Sequence, residues 1–188
     1  MQVNLNTNIN QSRLNFKASF SNDAETRKII KKLEMTRNGF ADILATHYAL
    51  KDMDSKDIIG LVHDLDRNGY YAKNLTNGKE IEFSGYFSED TASRLGRAIS
   101  KRELINEEPK LKGLEYYNRA CELIRTVAKK ELDIAEKLSP KIRAAEARGE
   151  IRKADELRNK LSKINGDKLQ KIFEAIEKEL FPLAKKVK

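Results

Sequence analysis

Residues 70–83 read Tyr70-Tyr71-Ala72-Lys73-Asn74-Leu75-Thr76-Asn77-Gly78-Lys79-Glu80-Ile81-Glu82-Phe83. An Asn-Gly pair between two alternating runs is a strong short-range hairpin signal, because both residues tolerate the positive φ of a two-residue type I′ turn. With that turn Lys73 faces Glu82 and Ala72 faces Phe83. One face then gathers Tyr70, Ala72, Ile81 and Phe83, with Asn74 as its exception. The other gathers Lys73, Glu80 and Glu82, with Tyr71 and Leu75 among them. A hairpin over 70–85 makes the first half of the chain α+β, not all-α.

Upstream, Asn22 with Glu25 fits a capping box for a helix carrying Ile29, Ile30 and Leu33, which Asn38-Gly39 stops. A second helix carries Phe40, Ile43, Leu44 and Tyr48. A third is expected from Asp54-Ser55 through Ile58, Ile59, Leu61, Val62 and Leu65, ended by Asn68-Gly69. Residues 1–22 alternate at Val3, Leu5, Ile9, Leu14, Phe16 and Phe20 but are rich in Asn, a poor strand former. They are expected to be an extended or disordered arm. Downstream of the hairpin, Ser88 heads a helix through Leu95 and Ile99, with Glu89 and Asp90 suiting its dipole.

From residue 109 the pattern is helical throughout. Leu111, Leu114, Tyr117, Cys121, Ile124 and Ala128 step by three and four, and Leu132, Ala135 and Leu138 continue the stripe. Ser139-Pro140 reads as an N-cap with proline at the first helical position; a helix kinked at Pro140 is the alternative. Ile142, Ala145, Ile151, Ala154, Leu157, Leu161 and Ile164 follow. Asn165-Gly166 is expected to stop that helix, and Asp167 with Gln170 to cap the next, through Ile172, Phe173, Ile176 and Leu180. Glu115–Arg119, Asp133–Lys137, Glu156–Lys160, Asp167–Lys171 and Glu174–Lys178 are acid–base pairs at i,i+4. Together these patterns predict a mainly α protein: a small α+β part over 23–108, then a basic, antiparallel three-helix bundle or coiled-coil-like hairpin over 109–188. Within the second part, Ile142, Ala145, Ile151, Ala154, Leu157, Arg158 and Leu161 are spaced in a way that resembles a UVR-type helical hairpin. That resemblance puts a turn at Ala147-Arg148-Gly149-Glu150 and implies binding of a protein partner. Arg152 and Asn159 stand where that family has Glu and Asp. The segment Asn15-Phe16-Lys17-Ala18 resembles the start of some uncharacterised bacterial proteins and implies no function.

Composition narrows the chemistry. The chain has 188 residues, 35% of them charged, and a net charge of +8. Residues 1–108 carry 16 Lys/Arg and 16 Asp/Glu, so the whole excess lies in residues 109–188. Cys121 is the only cysteine, which leaves no internal disulfide and no Cys-rich zinc site; it is expected to be a buried, inert thiol. The glycines are dispersed, with no phosphate-cradling loop. No run is long and apolar enough to span a bilayer. With no secretory signal, a cytoplasmic protein without membrane contact or cofactor is expected.

Three functional readings follow. The first is a non-enzymatic protein–protein interaction, scaffold or adaptor protein, joining a partner or a second copy through the C-terminal helices. The second is a nucleic-acid-associated protein holding phosphates with Lys129, Lys130, Arg148, Arg152, Lys185 and Lys186. The third is an enzyme centred on His47, His63, Asp64 and Asp66, which requires those residues to converge. Asp64, Asp66 and Asn68 also match the first half of a calcium-binding EF-hand loop, but Leu75 stands where the closing Glu belongs.

Overall fold

The computed structural model describes residues 17–182. They form β1 (Ser19–Phe20), α1 (Ala24–Glu34), α2 (Gly39–Asp52), β2 (Ile58–Asp64), β3 (Gly69–Asn74), β4 (Glu80–Ser84), α3 (Thr91–Ile99), α4 (Gly113–Val127), α5 (Lys129–Ala147) and α6 (Ile151–Leu180). The alternation at Val3–Leu14 and the pair Lys185-Lys186 lie outside the described residues.

The helix expected over 54–65 is instead a strand. A short apolar run has no periodicity that separates a buried strand from a helix, and here the β-branched Ile58, Ile59 and Val62 are taken into a sheet of order β1-β2-β3-β4. β1 runs parallel to β2, and the other pairs are antiparallel. Ala18 and Phe20 are buried, so the part of the arm beside β2 is core.

β1 is too short to pair all of β2, and α1 completes the ladder. The backbone N–H of Leu61 donates to Thr26 Oγ1 at 2.9 Å, and that hydroxyl donates to Asp23 Oδ2 at 2.8 Å. Asp23 Oδ1 accepts from Thr26 N at 2.8 Å. Asp23 is therefore the cap of α1, in place of Asn22; Asn22 accepts from Arg27, and Glu25 accepts from the backbone of His63.

The hairpin stands where its turn sequence put it, with a different register. Lys73 pairs with Glu80 and Ala72 with Ile81, and the pairing is irregular at Tyr70/Tyr71. Asn74 is the reason. Its side chain is buried, accepts from the backbone N–H groups of Thr76 and Asn77, and donates to the carbonyl of Leu104 at 3.0 Å. This widens the loop by a register step of two, which leaves each residue on its expected face.

α2 is buried nearly all round, as a central helix must be, and touches β1, α1, α3, α4 and α6. Gly39 is required at its start: a Cβ there would meet the carbonyl oxygen of Leu33 at 1.9 Å. α4 packs along α2, where Tyr116 donates to Asp52 at 2.6 Å and Arg119 lies 4.2 Å from the Tyr48 ring. α5 and α6 form an antiparallel hairpin, with Glu131 paired to Lys171 and Glu146 to Arg158. Ile172, Ile176 and Leu180 of α6 enter the same apolar cluster as Phe20, Leu44 and Ile105.

Two expected breaks do not occur. Pro140 lies inside α5, and the chain breaks instead at Ala128, between α4 and α5. Pro140 is exposed, so water can take the carbonyl its missing N–H leaves, and Ser139 bonds back to the Ala135 carbonyl instead of capping. Asn165-Gly166 lies inside α6, whose 30 residues run on unbroken because α5 holds one half and α2 with α4 the other. None of the five expected i,i+4 pairs forms among the described residues; Glu156 meets Arg152 and Glu115 caps α4. Such pairs are worth only ~0.2–0.5 kcal/mol, too little to outweigh other partners.

The substitution Thr26→Val keeps the side-chain shape but leaves the buried N–H of Leu61 without an acceptor. It should lower unfolding free energy by about 2–3 kcal/mol, read as an earlier urea midpoint, whereas Thr26→Ser should lose about 1 kcal/mol or less for the absent methyl.

Candidate interaction surfaces

The residues of the enzyme reading are not gathered at one place. His47 is buried on α2, with Nε2 3.6 Å from Glu179 of α6. Both its ring nitrogens lack a hydrogen-bond partner. Burial, and then the nearby Lys51 cation, push its pKa down to about 4, so it is neutral at pH 7. Glu179 is held by Lys51 at 2.9 Å. His63 belongs to another neighbourhood: it lies on β2, stacked 4.3 Å from the Tyr70 ring. Asp64 closes the β2–β3 turn, accepting from the backbone of Asp66 and Arg67 and from the Arg67 guanidinium. Asn68 supplies the left-handed residue, φ 51°. The calcium-like motif therefore joins strand to strand, and no acidic or histidine cluster suited to a metal occurs among the described residues. Cys121 is half-buried on α4 as a free thiol.

The basic candidates lie on the α5–α6 hairpin, hereafter the arm. Its turn falls at Arg148–Glu150, with Gly149 at φ 68°, the region that favours glycine. The turn sits where the hairpin resemblance placed it, on helices of 19 and 30 residues. Arg148 pairs with Glu150 at 2.8 Å, and Arg152 lies 3.7 Å from Glu156. Lys129 and Lys130 make no ion pair among the described residues. Along α5 and into its C-cap, the spacing of Lys130, Lys137, Lys141 and Arg148, by seven, four and seven, puts the cations along one face, to one side of the buried seam Leu138, Ile142 and Ala145. From Leu138 to Ile164 all ion pairs of the arm fall within it. Ile151, at its tip, is 71% exposed.

Sequence reasoning missed a second surface. α1 and the last four turns of α6 enclose a groove of about 640 Å³, with Ile30, Phe173, Ile176 and Leu180 among its walls. Met35 and Leu169 line it too and are 69% and 40% exposed. Glu34 also lines it, yet is only 4% exposed. Desolvation pushes its pKa up to about 7, opposed by Lys31 and reinforced by Glu177. Its carboxyl takes no hydrogen bond or ion pair among the described residues. Across the groove Arg27 pairs with Glu177 and lies 4.9 Å from the Phe181 ring. In sequence Glu34 is one acid among many on an amphipathic helix; nothing local shows that α6, some 140 residues later, forms the facing wall of its groove. Another cavity, between α2, α3 and α4, is lined by Asp42, Thr46, Arg97 and Tyr117. Burial raises the Asp42 pKa, and Arg97 opposes this. None of the larger cavities is lined by His47, His63, Asp64 or Asp66.

In comparison with known proteins, no family model, no curated protein and no solved structure matches the chain. No helix among the described residues is long and apolar enough to cross a membrane.

The raised Glu34 pKa has a definite sign. The folded state holds that proton more tightly than the unfolded chain, so stability is lost as pH rises from 4.5 towards 7, by on the order of 3 kcal/mol at most. His47 acts oppositely: its folded pKa is depressed, so stability is lost as pH falls from 6.5 towards 4. Parent and Glu34→Gln compared at the same pH share the His47 contribution. In urea titrations the variant should be clearly the more stable at pH 8, with the gap closing towards pH 4.5.

Proposed function

We propose that this is a non-enzymatic helical interaction protein whose contact element is the α5–α6 arm, presented by the α+β body to a protein partner or to a second copy. The observation that carries this reading is the arm itself. Its seam is narrow, its outer ion pairs are internal, and its tip exposes Ile151 beside the Gly149 turn. An isolated helical pair gains little from burying so thin a stripe, and a partner helix laid along it adds apolar area. The α6 helix fixes the arm to the core through Ile172, Ile176 and Leu180.

A photo-crosslinking residue in place of Arg152 at the tip, irradiated in cells that make the protein natively, should give a discrete adduct. The same residue in place of the exposed Lys28 on α1 should not. An adduct of twice 21.5 kDa identifies a second copy and a different mass a partner. No adduct, or equal labelling at both positions, contradicts the reading.

The row Lys130, Lys137, Lys141 and Arg148 favours one second reading, in which the arm tracks a phosphate backbone. Affinity for a labelled single-stranded oligonucleotide should then fall steeply with salt. The double substitution of Lys137→Glu with Lys141→Glu should reduce the slope of log K against log salt by roughly 1–2. A purified protein free of nucleic acid by its 260/280 ratio, with no oligonucleotide binding at low salt, excludes it.

A further inference from the structure

We propose that the groove between α1 and α6 binds a small cationic amphiphile, with an apolar chain against Phe173, Ile176 and Leu180 and an amine or guanidinium group on the carboxylate of Glu34. This site is independent of the arm's contact surface.

The groove has the size and lining of a small-molecule site. Such sites run to ~300–1,000 Å³ and are mainly apolar with few polar groups, and this one holds about 640 Å³. The polar group that decides its ligand is Glu34. A buried carboxyl is ordinarily hydrogen-bonded or paired; Glu34, 4% exposed, has neither among the described residues, and its oxygens are not wholly shut off from solvent. The two cations nearest it do not pair with it: Arg27 is committed to Glu177 and the Phe181 ring, and Lys31, three residues back on the same helix, acts on Glu34 through its charge and forms no ion pair among the described residues. Glu174, also on the wall, accepts from Gln170 at 3.0 Å. Glu34 is thus an unspent acceptor in an apolar wall, where the attraction between opposite charges is less screened than in water. A ligand bringing both a cation and an apolar chain satisfies both features. A neutral chain leaves the carboxyl unpaired, and an anionic chain sets a second negative charge against it. The exposed Met35 and Leu169, which share the lining, give the chain a route in.

Protonation sets the pH range. The groups facing Glu34 are Lys31 and Arg27 on its own helix and Glu174 and Glu177 on α6, and with them its pKa lies at about 7. A cationic ligand binds the ionised form, so the proton competes with it below that pH.

The test is calorimetric titration of the full chain with n-octylamine, n-octanol and octanoate, three probes of one chain length and different head charge. At pH 8 octylamine should bind at least tenfold more tightly than octanol, and octanoate more weakly than either. Lowering the pH to 6 should weaken octylamine by up to about tenfold, because a group of pKa near 7 is then about nine-tenths protonated. Glu34→Gln should reduce octylamine to the affinity of octanol and abolish its pH dependence. Leu169→Gln, at a half-exposed position that leaves the core intact, should weaken all three. Octanol binding the parent as tightly as octylamine overturns the proposal, as does an amine preference that survives Glu34→Gln. Absence of binding by all three at millimolar concentration overturns it equally.

Discussion

The hydroxyl of Thr26 is the joint on which the rest of the molecule depends. A two-residue β1 leaves the central strand β2 with an unpaired backbone group in the core, and Thr26 fills that place from a helix. Because the same hydroxyl is anchored by Asp23, the N-terminal cap of α1 and the ladder of β2 are one hydrogen-bonded chain. The direction of α1 is fixed by it, and so is the wall that α1 offers to α6. Gly39 then brings α2 hard against the end of α1. Every other helix touches α2 or the sheet except α5, which is reached only through its neighbours α4 and α6.

The polar groups fall into two classes by what surrounds them. Surface charges of the arm find partners within a turn or across the hairpin, as Glu150 does with Arg148 and Lys153; in water each is worth little. The buried His47 and Glu34 have no such freedom. Each is pushed towards its neutral form by burial, the histidine down and the carboxyl up. Each also has an acid from the last third of α6 beside it, Glu179 near His47 and Glu177 near Glu34.

How much of this was legible in the sequence depends on range. The hairpin, the alternation of its faces, and helices α1, α2 and α3 follow from local rules, because turn residues and helical stripes act within a few positions; the turn at Gly149 was implied only by the UVR-type resemblance, since the stripe itself ran on from Ile142 to Ile164. Asn74 was visible as an exception on an apolar face, but its bond to Leu104, thirty residues on, was not, and so the register was missed by two. β2 was misread because a run of seven residues carries no decisive period, and its partners are Ser19–Phe20 and residues 69–74. Pro140 and Gly166 are weak points that tertiary contacts on α5 and α6 override. The basic residues were legible as a charge excess, yet which acids Arg148 and Arg152 meet, Glu150 and Glu156, depends on where the helices end. The groove was illegible, since neither wall shows in sequence which of its acids the other will cover.

The unbroken α6 has a mechanical consequence. At 1.5 Å per residue it is a rod of about 45 Å whose outer half belongs to the arm and whose inner half, through Phe173 and Glu177, is a groove wall. A helix transmits twist along its axis because each turn is bonded to the next, and here the rod has no loop at which to dissipate it. The tip near Ile151 and the groove wall at Phe173 and Glu177 are therefore parts of one continuous helix, with the exposed Gly166 between them.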